Sequence, residues 1–377
     1  MNIKKKIIIS FILSFLTILF VYNDYFLYKK PILKISDIKE KIENNGTTKE
    51  KSITQTITGT IKNGKYKGKV VKVINHTTTS GVYDEQLHKH SEVFVEVKSD
   101  LTAIGINGVK RDKYVVILII IFINSIVFVA GRKGIKTIVS LIANIIISLL
   151  AILLFQKHAR TWNMLILYLF VSIIFVTTSL LITNKKSKKT FSAIVSSIIS
   201  FIVSFSLAFI IIKLYKKPIP YWTLEYIEAV HDYENFFYVT ILLSGLGAIM
   251  DIAITISSSL HELILKDPTI KYKNLLKSGK EICKDILGTM NNVMLFTCFT
   301  SVIPMTFLLM KNNIVLGDAI KMYSQVEIIV ILTSCISIVL AIPISLYVSA
   351  FMLHPSKKRR ENIWLLFYQL FFLPYLF

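Results

Sequence analysis

At 377 residues, with 53% hydrophobic side chains and a mean hydropathy of +0.60, the chain is too apolar for an ordinary soluble domain. Its net charge of +21 does not indicate nucleic acid, because the lysines cluster in short stretches between apolar runs. The three cysteines, Cys283, Cys298 and Cys335, have no metal-ligand spacing and give no disulfide framework.

Lys4, Lys5 and Lys6 precede an apolar run, Ile7–Tyr22. No small-x-small cleavage site follows, so 1–28 reads as an uncleaved first span. Residues 29–112 form a different kind of sequence. Lys29–Lys51 is polar and charged and reads as a linker or short helix. Ile53–Ile61, Lys69–Thr77 and Glu92–Val97 then alternate valine, isoleucine and threonine at period two, the pattern of half-buried strands. Asn63-Gly64 and Lys67-Gly68 read as turns. A small β-barrel or sandwich of four to six strands is expected here. His76, His88 and His90, with Asp84 and Glu85, read as solvated surface rather than a metal site.

Residues 113–355 contain apolar runs of about twenty residues, long enough to cross a hydrocarbon layer. Spans are expected at Tyr114–Ala130, Ile135–Phe155, Trp162–Thr183, Phe191–Leu214, Phe237–Leu260, Leu287–Met310 and Val326–Leu353. With the first, they make about eight. The fold class is therefore a polytopic all-α membrane bundle with a small extracytoplasmic β domain between spans 1 and 2. Basic residues alternate across the loops, nineteen on one side against six on the other. This places the N-terminus in the cytoplasm and 29–112 outside, with the lipid bilayer as the chain's surroundings. The outer loop Lys216–Asn235 reads as an interfacial helix with an acidic face and aromatic belt. The apolar tail, 356–377, reads as an in-plane or re-entrant segment after a basic stop.

Asp251 stands near the middle of Ser244–Glu262. Ser244, Ala248, Asp251, Thr255, Ser258 and Glu262 follow one another at alternating spacings of four and three, so they share one helical face. An acid at that depth costs about 3 kcal/mol on insertion scales, so Asp251 is expected to face protein or a wet cavity. The functional reading is a site for a proton or cation; the bland one is a buried acid held by neighbouring helices. Ser244, Gly245, Gly247 and Ala248 permit close helix approach. Thr289, Asn291 and Asn292 enter the membrane in the seventh span, either to meet Asp251 or to glue helices together. Pro304 is expected to kink or break that span. Thr137, Ser140, Asn144 and Ser148 make a second polar stripe, with Asn124 and Ser345 in other spans. Together these residues could line one cavity. His261-Glu262 fails as a zinc-protease motif because Leu265 occupies the second histidine position. No second intramembrane aspartate, serine elbow, P-loop or dinucleotide fingerprint occurs, so the chain does not read as an enzyme and no cofactor or metal is implied.

Gly245–Leu263 and Asp285–Phe296 resemble the YibE/F-like family of bacterial multi-pass membrane proteins. Gly131–Ile145 looks like that family's turn between the second and third spans, and Ile57–Thr78 is similar to its extracytoplasmic β segment. The matching motif positions are Asp251, Gly288, Thr289, Met290 and Asn292. The resemblance implies a bacterial plasma-membrane protein described as a permease, without an established reaction. Two readings stand: a transporter or permease centred on Asp251, and a non-transporting envelope assembly factor acting through the β domain. A homo-oligomer or an envelope protein partner is compatible with either.

Overall fold

The structure is a computed structural model that describes residues 3–44, 51–79, 84–97, 103–158, 163–214, 233–321 and 325–354. The tail and nearly all of the expected interfacial helix over Lys216–Asn235 lie outside the described residues. The chain divides into two compact units, Met1–Gly134 and Ile135–Phe377.

The first unit opens with helix α1 (Ile3–Tyr22) and a 3₁₀ turn at Asp24–Leu27. Five strands follow: β1 (Ile32–Asn44), β2 (Lys51–Ile61), β3 (Val70–Thr78), β4 (Glu92–Val97) and β5 (Ala103–Val109). They form one antiparallel sheet in the order β3-β2-β1-β4-β5. The sheet curls enough to bring its outer strands, β3 and β5, against each other. Its core is Leu33, Ile35, Ile57, Ile61, Val71, Val73, Leu87, Val93 and Val95. Gly64 and Gly68 take positive φ angles of 71° and 84° in the β2–β3 connection, as the expected turns require.

The central strand, β1, falls in the stretch expected to be a linker or short helix. Its apolar residues Ile35, Ile38 and Ile42 are three and four apart, a helical spacing. A β-bulge between Ile35 and Asp37 adds the residue that disrupts period two. Gly59 lies opposite Ile35 at this irregularity. A Cβ there would stand 2.5 Å from the Lys34 carbonyl oxygen and 2.9 Å from Leu33 Cγ. The nearest obstacle is backbone, so a side chain needs the strand itself to move. Gly59→Ala is expected to destabilise the sheet by about 1–3 kcal/mol, the usual cost of overpacking. Thermal unfolding followed by β-sheet circular dichroism checks it.

Helix α2 (Asp112–Ala130) packs on α1, with Asn124 Nδ2 donating to Ser14 Oγ at 2.8 Å.

The second unit contains α3 (Arg132–His158, which begins just before it), α4 (Met164–Thr183), α5 (Lys188–Leu214), α6 (Tyr233–Ser244), α7 (Leu246–Lys266), α8 (Tyr272–Lys311), the short α9 (Leu316–Ala319) and α10 (Gln325–Leu353). Its centre is α10, which packs against α5, α6, α7 and α8. The core includes Phe201, Ile249, Ile252, Ile256, Leu260, Ile338 and Leu346. Among the described residues, seven helical segments are long and apolar enough to cross a membrane. The expected first span lies within α1, which is counted separately from these seven.

Two expected spans differ in detail. The run expected as Phe237–Leu260 breaks at Gly245 into α6 and α7. Gly245 lies close to Ser337 of α10, whose Cβ would be 3.3 Å from an added methyl group. The expected basic loop Lys266–Lys284 is largely the first part of α8, a helix of 40 residues. Its Leu275 and Cys283 are buried, and a Cβ on its Gly279 would collide with the Leu346 side chain and stand 3.1 Å from that of Leu260. Close contact with α7 and α10 therefore holds this segment helical. Pro304 does not end α8. The helix runs on to Lys311 without the hydrogen bond that proline cannot donate.

Candidate functional site

Helix α7 buries Leu246, Ile249, Ile252, Ala253, Ile256, Ser257 and Leu260. Its other face carries the expected polar stripe. Asp251, Thr255 and Glu262 are exposed, while Ser244 at the end of α6, Ala248 and Ser258 are half-buried. Asp251 is thus not covered by the described residues, and the expectation of protein or a wet cavity beside it concerns what lies against this outward face. The apolar face wins the interior because α5, α8 and α10 offer it shape-matched apolar surface. Among the described residues no hydrogen bond reaches the Asp251 carboxylate; Thr255 instead donates to the Asp251 backbone carbonyl at 2.6 Å.

The other expected residues do not converge on Asp251. Asn144 Nδ2 donates to Ser179 Oγ at 2.6 Å, joining α3 to α4. The hydroxyls of Ser244 and Ser334 lie 2.7 Å apart, joining α6 to α10. With Asn124–Ser14, these are three separate helix-to-helix bonds rather than the lining of one cavity. On α8, Met290 and Met294 pack against the core, whereas Thr289 and Asn292 are exposed. Thr289 donates to its own helix at Asp285. Asn291 is half-buried, and its Oδ1 is buried without a partner.

Polar groups also collect where the sequence reading placed little weight. Ser192, Ser197, Ser200 and Ser204 of α5, and Ser345 and Ser349 of α10, are buried, and among the described residues their hydroxyls have no hydrogen-bond partner. These helices pack against each other. Span serines usually bond the carbonyl one turn back, as Ser172 and Ser334 do here. The signal available in the sequence is the recurrence of Ser192, Ser196, Ser200 and Ser204 every four residues along α5.

Family models match the chain twice. The YibE/F family N-terminal domain matches residues 26–109, and the YibE/F-like protein model matches residues 118–355. The chain belongs to the YibE/F-like family. No curated protein and no solved structure matches it.

In this YibE/F-like chain the two matched segments leave 110–117 between them, and that gap holds part of a buried ionic joint. Lys110 Nζ donates to Asp24 Oδ1 at 2.7 Å and to Asp112 Oδ2 at 2.6 Å, with its side chain 1% exposed. Lys113 Nζ donates to Glu92 Oε1 at 2.7 Å. The Tyr25 and Tyr28 hydroxyls donate to Glu92 and Asp112. Lys110 also lies over the rings of Tyr25 and Tyr28, at 5.6 and 5.1 Å from their centroids. The joint thereby ties the turn after α1, strand β4, the end of β5 and the start of α2. Burial, then the Glu92 carboxylate, pushes the Tyr25 phenol above its ordinary range; burial and Asp112 do the same to Tyr28. Both hydroxyls therefore stay protonated as donors.

Proposed function

We propose that this YibE/F-like protein is a plasma-membrane permease whose polar path runs along the outward face of α7. The observation that carries this reading is Asp251, a carboxylate unpaired among the described residues and near the middle of the apolar helical span Glu234–Lys266. An ionised carboxylate against acyl chains is costly, so this face calls for water or another protein surface. Gly247 and Thr255 of α7, and Thr289 and Asn292 of α8, are likewise exposed small or polar residues. The species moved or coupled is a proton or a cation, for which a lone acid is a stepping site. The N-terminus lies in the cytoplasm and the β domain outside, on the strength of the loop lysines.

The test is flux in proteoliposomes loaded with a pH-sensitive dye and given an imposed proton or potassium gradient. Wild type is expected to dissipate one of the two gradients faster than protein-free vesicles. Asp251→Asn is expected to slow that flux at least about tenfold, the consequence of about 1.4 kcal/mol on a barrier. Undiminished flux in the variant would remove Asp251 from the path.

The assembly-factor reading draws on a different observation, the buried joint that ties the β-sheet to α1 and α2. It predicts a phenotype that disappears on deletion of 29–112 and persists in Asp251→Asn.

A further inference from the structure

The joint sets three carboxylates, Asp24, Glu92 and Asp112, against two ammonium groups, Lys110 and Lys113. The Asp24 and Glu92 side chains are only 6% and 4% exposed. With every group ionised, a net negative charge would be buried, which proteins avoid by neutralising one member. Hydrogen bonding singles out the member. Glu92 receives Tyr25 and Lys113; Asp112 receives Tyr28 and Lys110. Among the described residues Asp24 receives only Lys110, and the one Tyr28 hydroxyl proton goes to Asp112. Asp24 Oδ1 and Asp112 Oδ2 nevertheless share one ammonium, at 2.7 and 2.6 Å from Lys110 Nζ, which brings the two carboxylates side by side. Two carboxylates have no proton to put between them, and among the described residues Asp112 Oδ1, like Glu92 Oε2 across the joint, is buried without a partner. A proton on Asp24 supplies that missing donor.

We propose that the joint is a proton-binding site, in which one proton carried by Asp24 and donated to Asp112 completes the seat of the β-sheet on α1 and α2. Tyr25, Tyr28, Glu92, Lys110, Asp112 and Lys113 are the titratable groups around it, drawn from the turn after α1, β4, the end of β5 and α2. Burial raises the Asp24 pKa, Lys110 opposes the rise, and Asp112 adds to it. The sign follows from linkage. A carboxyl whose folded pKa is raised contributes stability that is present at acid pH and is lost as pH rises through that folded pKa. The seat is therefore tight when Asp24 is protonated and loosens on its deprotonation, which makes it responsive to pH on the side where the β domain lies.

Infrared difference spectroscopy of the full chain in lipid nanodiscs reads the proton directly, as a protonated-carboxyl band that disappears on raising the pH. The band is expected in wild type and in Asp251→Asn, and is expected to be absent from the joint in Asp24→Asn, whose amide still donates to Asp112. Hydrogen exchange of the wild-type β5 amides, corrected for intrinsic rates, gives a second readout that needs no variant. Protection is expected to fall by up to about tenfold per pH unit above the Asp24 pKa, the slope for one proton. Identical carboxyl bands in wild type and Asp24→Asn would overturn the proposal. If Asp24→Asn does not fold, corrected wild-type β5 protection decides: a flat response to pH overturns the proposal, and a one-proton slope supports it.

Discussion

Lys110→Met is expected to destabilise the first unit by about 3–5 kcal/mol, the range for removing one partner of a buried ion pair. Methionine retains most of the apolar stem and fills similar space, so the loss is electrostatic rather than a cavity. Lys110 answers two carboxylates at once, and its ammonium also faces two tyrosine rings. Burial by itself would pull its pKa down; the hydrogen bonds to Asp112 and Asp24 outweigh that and hold it above the usual lysine range. Without the cation, Asp24 and Asp112 confront each other in a site that water does not reach freely. The deficit should shrink as pH falls, because protonation of those acids removes the charge left unpaired. Thermal unfolding in detergent across acid and neutral pH reads both effects. The surface pair Lys41–Glu43, with side chains 77% and 57% exposed, is the contrast: Lys41→Met should leave the melting temperature unchanged. An equal drop in both variants would mean that the joint is no more than a surface pair.

The joint shows why some of this fold was legible in the sequence and some was not. Period-two alternation marks β2, β3 and β4 because each has one face toward a core, and the strand bounds agree to within two residues. Runs of about twenty apolar residues mark the helices for an equally local reason. Lys110 and Asp24, by contrast, lie 86 residues apart, and nothing local distinguishes them from the solvated charges nearby. The bulge in β1 hid the central strand by giving it helical spacing. The spacing of Ala248, Asp251, Thr255, Ser258 and Glu262 is enough to put them on one face of α7. Its orientation depends on α5, α8 and α10, which the pattern of α7 does not encode. The six buried serines without a partner among the described residues make the same point, since a hydroxyl can bond its own helix or leave it unbonded, and composition does not decide which.

Gln55→Leu is expected to cost about 2–4 kcal/mol, although leucine suits the buried position by size. Gln55 lies on β2 among isoleucines and is completely buried. Its Nε2 donates to Glu40 Oε1 at 2.8 Å and to the Leu87 carbonyl at 3.0 Å. Its Oε1 accepts the Leu87 N–H and Asn75 Nδ2, each at 3.0 Å. Both donors and both lone pairs of the amide are therefore used. Glu40 and Asn75 are accessible enough to turn to water, but the Leu87 backbone groups are not. Those two orphaned groups, at about 1–3 kcal/mol each, account for most of the expected loss. Hydrogen exchange at the Leu87 amide localises the effect, since leucine leaves this N–H without its acceptor. Gln55→Glu separates hydrogen bonding from shape: it keeps the acceptors, loses the donors and places a carboxylate beside Glu40. It should be unstable at neutral pH and recover on acidification, when the protonated side chain again donates a hydrogen bond. A leucine variant as stable as wild type, with Leu87 still protected, would mean that apolar packing alone holds this connection to the sheet.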